Sequence, residues 1–266
     1  QSRSSAASDV YKRQFIIYIK KMDLLSSKNH YERDERIQFS DSDHTYLIDK
    51  KNKAVSVTEL IGRYFPKFDK EFWANKESIK TGKPKNEILK KWDELGKKAR
   101  DLGTELHEQI ENFYNSKEYI RSKELDKFFK FHKNHIQDKY KPHRTEWRIF
   151  DEDKNLAGTV DMVYEKENGE LFIFDWKRSK KIINSDGSIE KNNPFENGLN
   201  GLSHLPSSDY VKYCLQQNIY KNILESKYDK KVSSMNLLIL HPHLENYHII
   251  QVESFKNETK YLLDSI

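Results

Sequence analysis

A single cysteine, Cys214, in 266 residues leaves no internal disulfide and no four-thiolate zinc or iron–sulfur site built by this chain alone. That fits an intracellular, reducing compartment: cytoplasm, nucleus or organelle matrix, with a virus-encoded origin equally compatible. Long apolar runs are also missing. The longest, residues 15–19 and 235–240, are far too short for a hydrocarbon core about 30 Å thick, so neither a transmembrane helix nor a membrane partner is expected. There is no internal repeat and no GxxxxGK(S/T) phosphate loop, which excludes a repeat array and a fused P-loop motor. Nor is one sign of charge in large excess. The 47 Lys and Arg against 42 Asp and Glu give +5, too balanced to establish nucleic-acid binding by net charge.

What is present is a chain long enough to bury a sizeable core, expected as one domain with insertions. Apolar residues are only 36% and charged residues 33%, so the surface should be heavily solvated. Basic residues cluster at 85–100, at 127–148 and in the run Lys177-Arg178-Ser179-Lys180-Lys181. The first two read equally as solvated helix faces; the third gains weight from the residues that precede it. Residues 4–14 resemble translated read-through of a sequencing adapter and fit an amphipathic presequence poorly. They are set aside with the rest of 1–21 as a non-native or disordered leader, with Met22 the expected start.

A polar turn at 49–53 between 45–48 and 54–57 predicts a hairpin, followed by a short helix capped by Ser56 or Thr58 and ended by Pro66. Beyond Gly82 and Pro84, Leu95, Ala99, Leu102, Leu106, Ile110 and Phe113 recur at helical spacing and predict a long helix with one buried stripe. A second helix is expected over 122–140. Strands follow at 144–150, 158–164 and 171–176, then a helix at 210–225 and strands at 235–240 and 247–252. Residues 182–209, rich in Asn, Ser, Gly and Pro, read as a functional or mobile insertion. Interleaved helices and strands give an α/β fold, with α+β the other arrangement. The expected division is a hairpin and helical extension over 22–90 and a core over 91–266.

Asp175 and Lys177, two apart on a strand, project from one face, so a carboxylate and an ammonium address one small volume. A second carboxylate, Asp161, sits on the preceding strand. A three-residue loop with Gly169 in the left-handed conformation sets Asp161 directly opposite Asp175, with Cβ atoms about 4.5–5.5 Å apart. A two-residue turn at Asn168-Gly169 would instead set Asp161 opposite Trp176 and throw the two carboxylates onto opposite faces. Carboxylates held so close can share Mg²⁺, and without a cation they repel and raise one pKa. An adjacent ammonium can bind a scissile phosphate or lower the pKa of an attacking water, which points to metal-dependent phosphodiester cleavage. Phe172, Phe174 and Trp176 alternate on the other face and read as core under a covering helix.

Four separated motifs run in order: Gly103-Thr104-Glu105-Leu106-His107, Gly158-Thr159-Val160-Asp161, Asp175-Trp176-Lys177 and Gln216-Gln217-Asn218-Ile219-Tyr220. Together they resemble the GTxxH, G-(T/I)-(V/I)-D, DxK and QxxxY motifs of the PD-(D/E)xK nuclease superfamily, in its RecB and λ-exonuclease-like branch. The segment Ser56-Val57-Thr58-Glu59-Leu60-Ile61 is similar to an N-terminal signature of some viral and phage-like members. The resemblance implies a restriction-endonuclease-like core, a central mixed β-sheet flanked by helices. It further implies a Mg²⁺- or Mn²⁺-dependent deoxyribonuclease, an exonuclease in DNA repair, recombination or replication. His107, Asp161, Asp175 and the Trp176 carbonyl would be metal ligands, with Glu146 supporting a second ion or a bound water. Lys177 would orient or activate water, and Gln216 and Tyr220 would contact the metal shell or the DNA backbone. Thr104, Arg178, Lys180 and Lys181 would contact DNA. Single strands or duplex ends would be the substrate, with a second copy of the chain or replication and repair proteins as further partners.

Blander readings stand beside these. A lone helical histidine is usually a packing residue, although Gly103, one turn before His107, costs the helix about 1 kcal/mol and marks a close approach. Gln216 and Tyr220 serve equally as structural hydrogen-bond partners. His241-Pro242-His243 reads as a strand-end loop, since no third ligand is evident. Two rival functions are a non-catalytic nucleic-acid-binding module, using Trp73, Trp92 or Trp147 for base contacts, and a metal-dependent hydrolase of small phosphate esters.

Overall fold

Strand β5 (Leu156–Glu165) is the spine of the computed structural model, which describes residues 23–40, 42–184 and 186–266. The leader 1–21 and Met22 lie outside the described residues. On one edge β5 pairs antiparallel along its length with β4 (Lys141–Asp151). On the other edge it changes partner. There β3 (Asn52–Ser56) runs parallel to it at Leu156 and Ala157, whereas β6 (Leu171–Lys177) runs antiparallel from Met162 to Glu165. Residues 158–161 lie in the fork between them, with no strand partner on that edge among the described residues.

Outward from β3 come β2 (Thr45–Ile48) and β1 (Ile37–Ser40), both antiparallel. Outward from β6 come β7 (Val232–Ile239), parallel, and β8 (His248–Gln251), antiparallel. The result is an α/β fold with a mixed sheet of 8 strands.

Helices cover both faces, because β6 and β7 bury alternate side chains on each. Leu171, Ile173, Leu237 and Ile239 pack with α2 (Val57–Gly62), α6 (Asp209–Lys227) and α7 (Lys256–Asp264). Phe174, Trp176 and Leu238 pack with α1 (Leu24–Lys28), the C-terminal half of α4 (Lys85–Tyr114) and α5 (Lys123–Phe131). The cover expected over Phe174 and Trp176 is α5: the Phe128 ring meets Trp176 edge-on at 5.7 Å. Side chains of Ser56, Ser122 and Ser208 accept the third-position N–H of α2, α5 and α6, and Asp69 does so for α3 (Lys70–Thr81). Gly82, left-handed at φ 70°, closes α3, and Pro84 leads into α4.

Two expectations are corrected. The stripe on α4 is buried only toward its C-terminal half, at Leu106, Ile110 and Tyr114, plus Ile88 near its start. Leu95 is 55% exposed, because the N-terminal half packs with α3 instead of lying on the sheet. The helix expected to reach Tyr140 ends earlier, α5 passing into a π turn at His132–Ile136. Residue 90 lies inside α4, and the hairpin strands belong to the same sheet as β4–β8. Residues 182–209 are irregular apart from a 3₁₀ turn at Asn200–Leu202, yet Ile182, Ile183, Leu202 and Leu205 anchor them in the α6-side cluster.

Candidate metal centre

The connection from β5 to β6 decides the site. Gly169 is left-handed at φ 80° and its N–H donates to the Lys166 carbonyl at 2.9 Å, while the Lys166 N–H donates to the Glu170 carbonyl at 3.0 Å, closing a three-residue loop, 167–169, just beyond the paired Glu165 and Leu171. The register runs to Met162 opposite Phe174, so Asp161 and Asp175 take the next facing positions, where the strands begin to part. The Trp176 N–H donates to Asp161 Oδ2 at 2.8 Å and ties the two strands across the fork.

Glu146 stands on β4 opposite Asp161, between the pairs Thr145–Met162 and Trp147–Val160. Its φ of 43° is left-handed, a conformation that costs a non-glycine residue about 1–3 kcal/mol and collects at functional sites. The reversal breaks the strand's alternation. Thr145 accepts a hydrogen bond from Asn115 at the end of α4, whereas Trp147 joins the cluster on the opposite face. His107 comes from the middle of α4. Its Nε2 donates to the Trp176 carbonyl at 2.8 Å, which fixes the ring and leaves Nδ1 3.4 Å from Glu146 Oε1 and 3.6 Å from Asp161 Oδ2. Ligand atoms of His107, Glu146 and Asp161 all lie within 4.8 Å of one another.

Two expected ligands are placed differently. The Trp176 carbonyl accepts the His107 proton and acts as the histidine's orienting partner. Asp175 lies outside that trio: its Oδ2 is 2.7 Å from Lys177 Nζ. Glu146, expected only in a supporting role, is instead central.

Electrostatics bind these groups together. Burial raises the Asp175 carboxyl to about 6, Lys177 opposing and Asp161 adding to the shift. Burial likewise raises Asp161, against the pull of His107. The mutual repulsion expected of the two carboxylates is thus present but secondary to desolvation. Burial lowers His107, but Asp161 and Glu146 more than reverse this and push the imidazole up to about 9. Burial also works against the Lys177 ammonium, which Asp175 and Asp161 nonetheless hold well above the ordinary lysine range.

Gln216 and Tyr220 approach from α6. Gln216 Nε2 donates to Tyr220 Oη at 2.9 Å, and the Tyr220 ring packs closely on Gly158, where an added Cβ would sit 2.5 Å from Cε1. The glycine of the strand motif is therefore required by the tyrosine of the helix motif. Gly103 differs: a Cβ there meets nothing within 4 Å, so no protein group explains it. It borders an open cleft of about 660 Å³ shared with Thr104, His107, Glu146 and Thr159.

Of the expected DNA contacts, Lys180 and Lys181 are exposed and Thr104 faces solvent at the cleft. Arg178 is committed to Glu124 at 2.8 Å, each side chain 13% exposed, and pins α5 to the end of β6. Trp147 is fully buried and donates to Asp34 at 3.0 Å, which removes it from any base contact; Trp73 and Trp92 are half-buried. His241 and His243 stack at 5.1 Å, and no third ligand joins them among the described residues. The residue missed is Glu111, one turn after His107 on the same cleft wall. Burial first, then Glu146 and Asp23, raise it to about 7. Its spacing of four from His107 was the available signal.

The fold and site together define a helix-flanked α/β protein with a carboxylate, imidazole and ammonium cluster at a fork in its sheet. No family model matches the chain, and no curated protein does. Among 17 similar solved chains is one described as "Crystal structure of SSO0001", with a TM-score of 0.34 and 12% identity, covering 81% of this chain and 74% of that one. At that distance the likeness carries no argument about function.

Proposed function

We propose that this protein is a metal-dependent nuclease of the PD-(D/E)xK kind that hydrolyses phosphodiester bonds in DNA, acting as an exonuclease on single-stranded or end-processed DNA. One observation carries the reading: His107, Glu146 and Asp161, drawn from a helix and two strands, converge within 4.8 Å beside the Asp175–Lys177 pair.

The donor set fits a hard divalent cation. Two carboxylates and an imidazole suit Mn²⁺ as readily as Mg²⁺. Asp175 Oδ2 is buried and makes no hydrogen bond of proper geometry, although Lys177 Nζ is close, so it has acceptor capacity to offer the same centre. A cation held there would neutralise phosphate oxygens and lower the pKa of an attacking water.

The chain's own residues supply the rest. Lys177 remains an ammonium across the working pH range, so it acts as a fixed positive charge that holds a phosphate oxygen and offsets charge developing on it. Trp176 orients His107 through its carbonyl and Asp161 through its N–H, placing one strand residue in control of two candidate ligands. Tyr220 Oη accepts from Gln216, leaving its own O–H free to donate into the site.

The test is cleavage of labelled linear and circular DNA with and without Mg²⁺ or Mn²⁺, using Asp161→Asn as the control. Metal-dependent release of nucleotides from linear DNA only, lost in the variant, supports the reading. Binding without cleavage would favour the non-catalytic module, and cleavage of small phosphate esters alone would favour the other hydrolase. Equal cleavage by Asp161→Asn would sink the assignment of the centre.

A further inference from the structure

Beside the centre, between α2 and α6, lies a groove of about 630 Å³ whose walls include Ile61, Phe65, Pro66 and Tyr213. Its rim carries Arg63, Lys67 and Lys212. The Glu59 carboxylate is occupied by Arg63 at 2.8 Å, whereas Lys67 and Lys212 have no carboxylate partner among the described residues. Phe65 is buried as the floor of the groove, and Lys212 Nζ lies over its ring, 5.1 Å from the centroid, which holds the cation at the groove's edge.

The groove is joined to the centre. Tyr213 forms part of its wall and also lies under Lys177, whose Nζ is 4.3 Å from the Tyr213 ring centroid. Gln216 lines both this groove and a neighbouring cavity of about 300 Å³ bordered by Gly158, Thr159 and Tyr220. That cavity in turn shares Tyr46 and Thr159 with the metal-centre cleft.

We infer that this groove is a subsite for one unpaired nucleotide of a single-stranded nucleic acid, its base against Pro66 and Tyr213 and its flanking phosphates on Lys67 and Lys212. The inference rests on the nuclease reading. Apolar and aromatic walls under a cationic rim match the two faces of a nucleotide, a π-surface and an anion, and stacking of this kind tolerates any base. A paired base keeps its faces stacked on its neighbours and cannot offer one to the groove, so the subsite selects single strands. Its position next to Lys177 makes it the place where the strand flanking the scissile bond is held.

The experiment is fluorescence anisotropy with the full chain in EDTA, using a labelled oligothymidylate about 12 nucleotides long, within the usual single-strand site size, and a duplex of equal length. Gly62→Leu fills the groove safely, because Gly62 lines it and an added Cβ there meets nothing within 4 Å. Circular dichroism melts confirm that each variant is folded. Gly62→Leu should weaken oligothymidylate binding roughly tenfold by denying the stack, with duplex binding little changed. Lys67→Ala with Lys212→Ala should lower the slope of log affinity against log salt by about 1.4, two single-strand phosphate contacts' worth. Unchanged oligothymidylate binding in both variants overturns the inference. No turnover is needed, so inactivity of the wild-type protein with these binding losses intact would defeat the nuclease reading and leave the subsite standing.

Discussion

Divalent-cation binding at the centre should tighten steeply with pH, because His107 offers Nδ1 only after losing a proton. Asp161 and Glu146 outweigh the burial penalty and hold that proton to about pH 9. Near neutrality the imidazole is therefore almost wholly protonated, and each pH unit from about 7 toward 9 should tighten apparent Mn²⁺ binding about tenfold, or about 1.4 kcal/mol. Asp175, raised only to about 6, is already ionised over this range and adds nothing to the slope. Stability of the metal-free protein should move the opposite way. The folded chain keeps a proton that an unfolded histidine releases near pH 6.5, so the stabilisation is complete below about 6.5 and drains away as pH rises through about 9. Calorimetric titration of Mn²⁺ in two buffers of different ionisation enthalpy should report close to one proton released per cation at about pH 7. Negligible proton release, or the same slope retained by His107→Gln, would refute the reasoning.

Lys177→Ala should abolish DNA cleavage and also cost about 3–5 kcal/mol in urea denaturation, because it leaves the Asp175 carboxylate buried and unpaired. Asp175→Asn combined with Lys177→Met should recover most of that stability without recovering activity; simple additivity of the single losses would contradict the coupling. The two motif glycines should behave oppositely. Gly103→Ala should stabilise the helix by about 1 kcal/mol while impairing cleavage, whereas Gly158→Ala should destabilise by about 1–3 kcal/mol by driving Tyr220 off the strand; equal signs in thermal melts would overturn that contrast. Arg178→Ala should lower the melting temperature through loss of the Glu124 pair with little change in oligonucleotide affinity. A large affinity loss in a fully stable variant would return Arg178 to the nucleic-acid surface.

Much of this was legible in the chain itself. Alternation in 171–177 identified β6 and separated Phe174 and Trp176 from Asp175 and Lys177, because side chains leave opposite faces of a strand by geometry alone. Gly169 pointed to the loop that aligns Asp161 with Asp175, since a left-handed turn position favours glycine. The serine caps and the Gly82–Pro84 break marked helix ends through hydrogen bonds made within a few residues. The apolar stripe on α4 misled at Leu95, because helical spacing shows which positions share a face but not whether a sheet lies beneath them.

Local pattern thus determined the elements, their faces and the β5–β6 register, all properties set by interactions between near neighbours in the chain. The arrangement of the candidate ligands belonged to the tertiary structure. Glu146 enters the centre because its backbone flips at one rung of the β4–β5 ladder, the Trp176 carbonyl holds His107 across 69 positions of sequence, and Asp175 turns to Lys177 in a buried space where the two charges need each other. Such choices depend on desolvation and on distances of a few ångströms between remote segments, which periodicity along the chain does not encode.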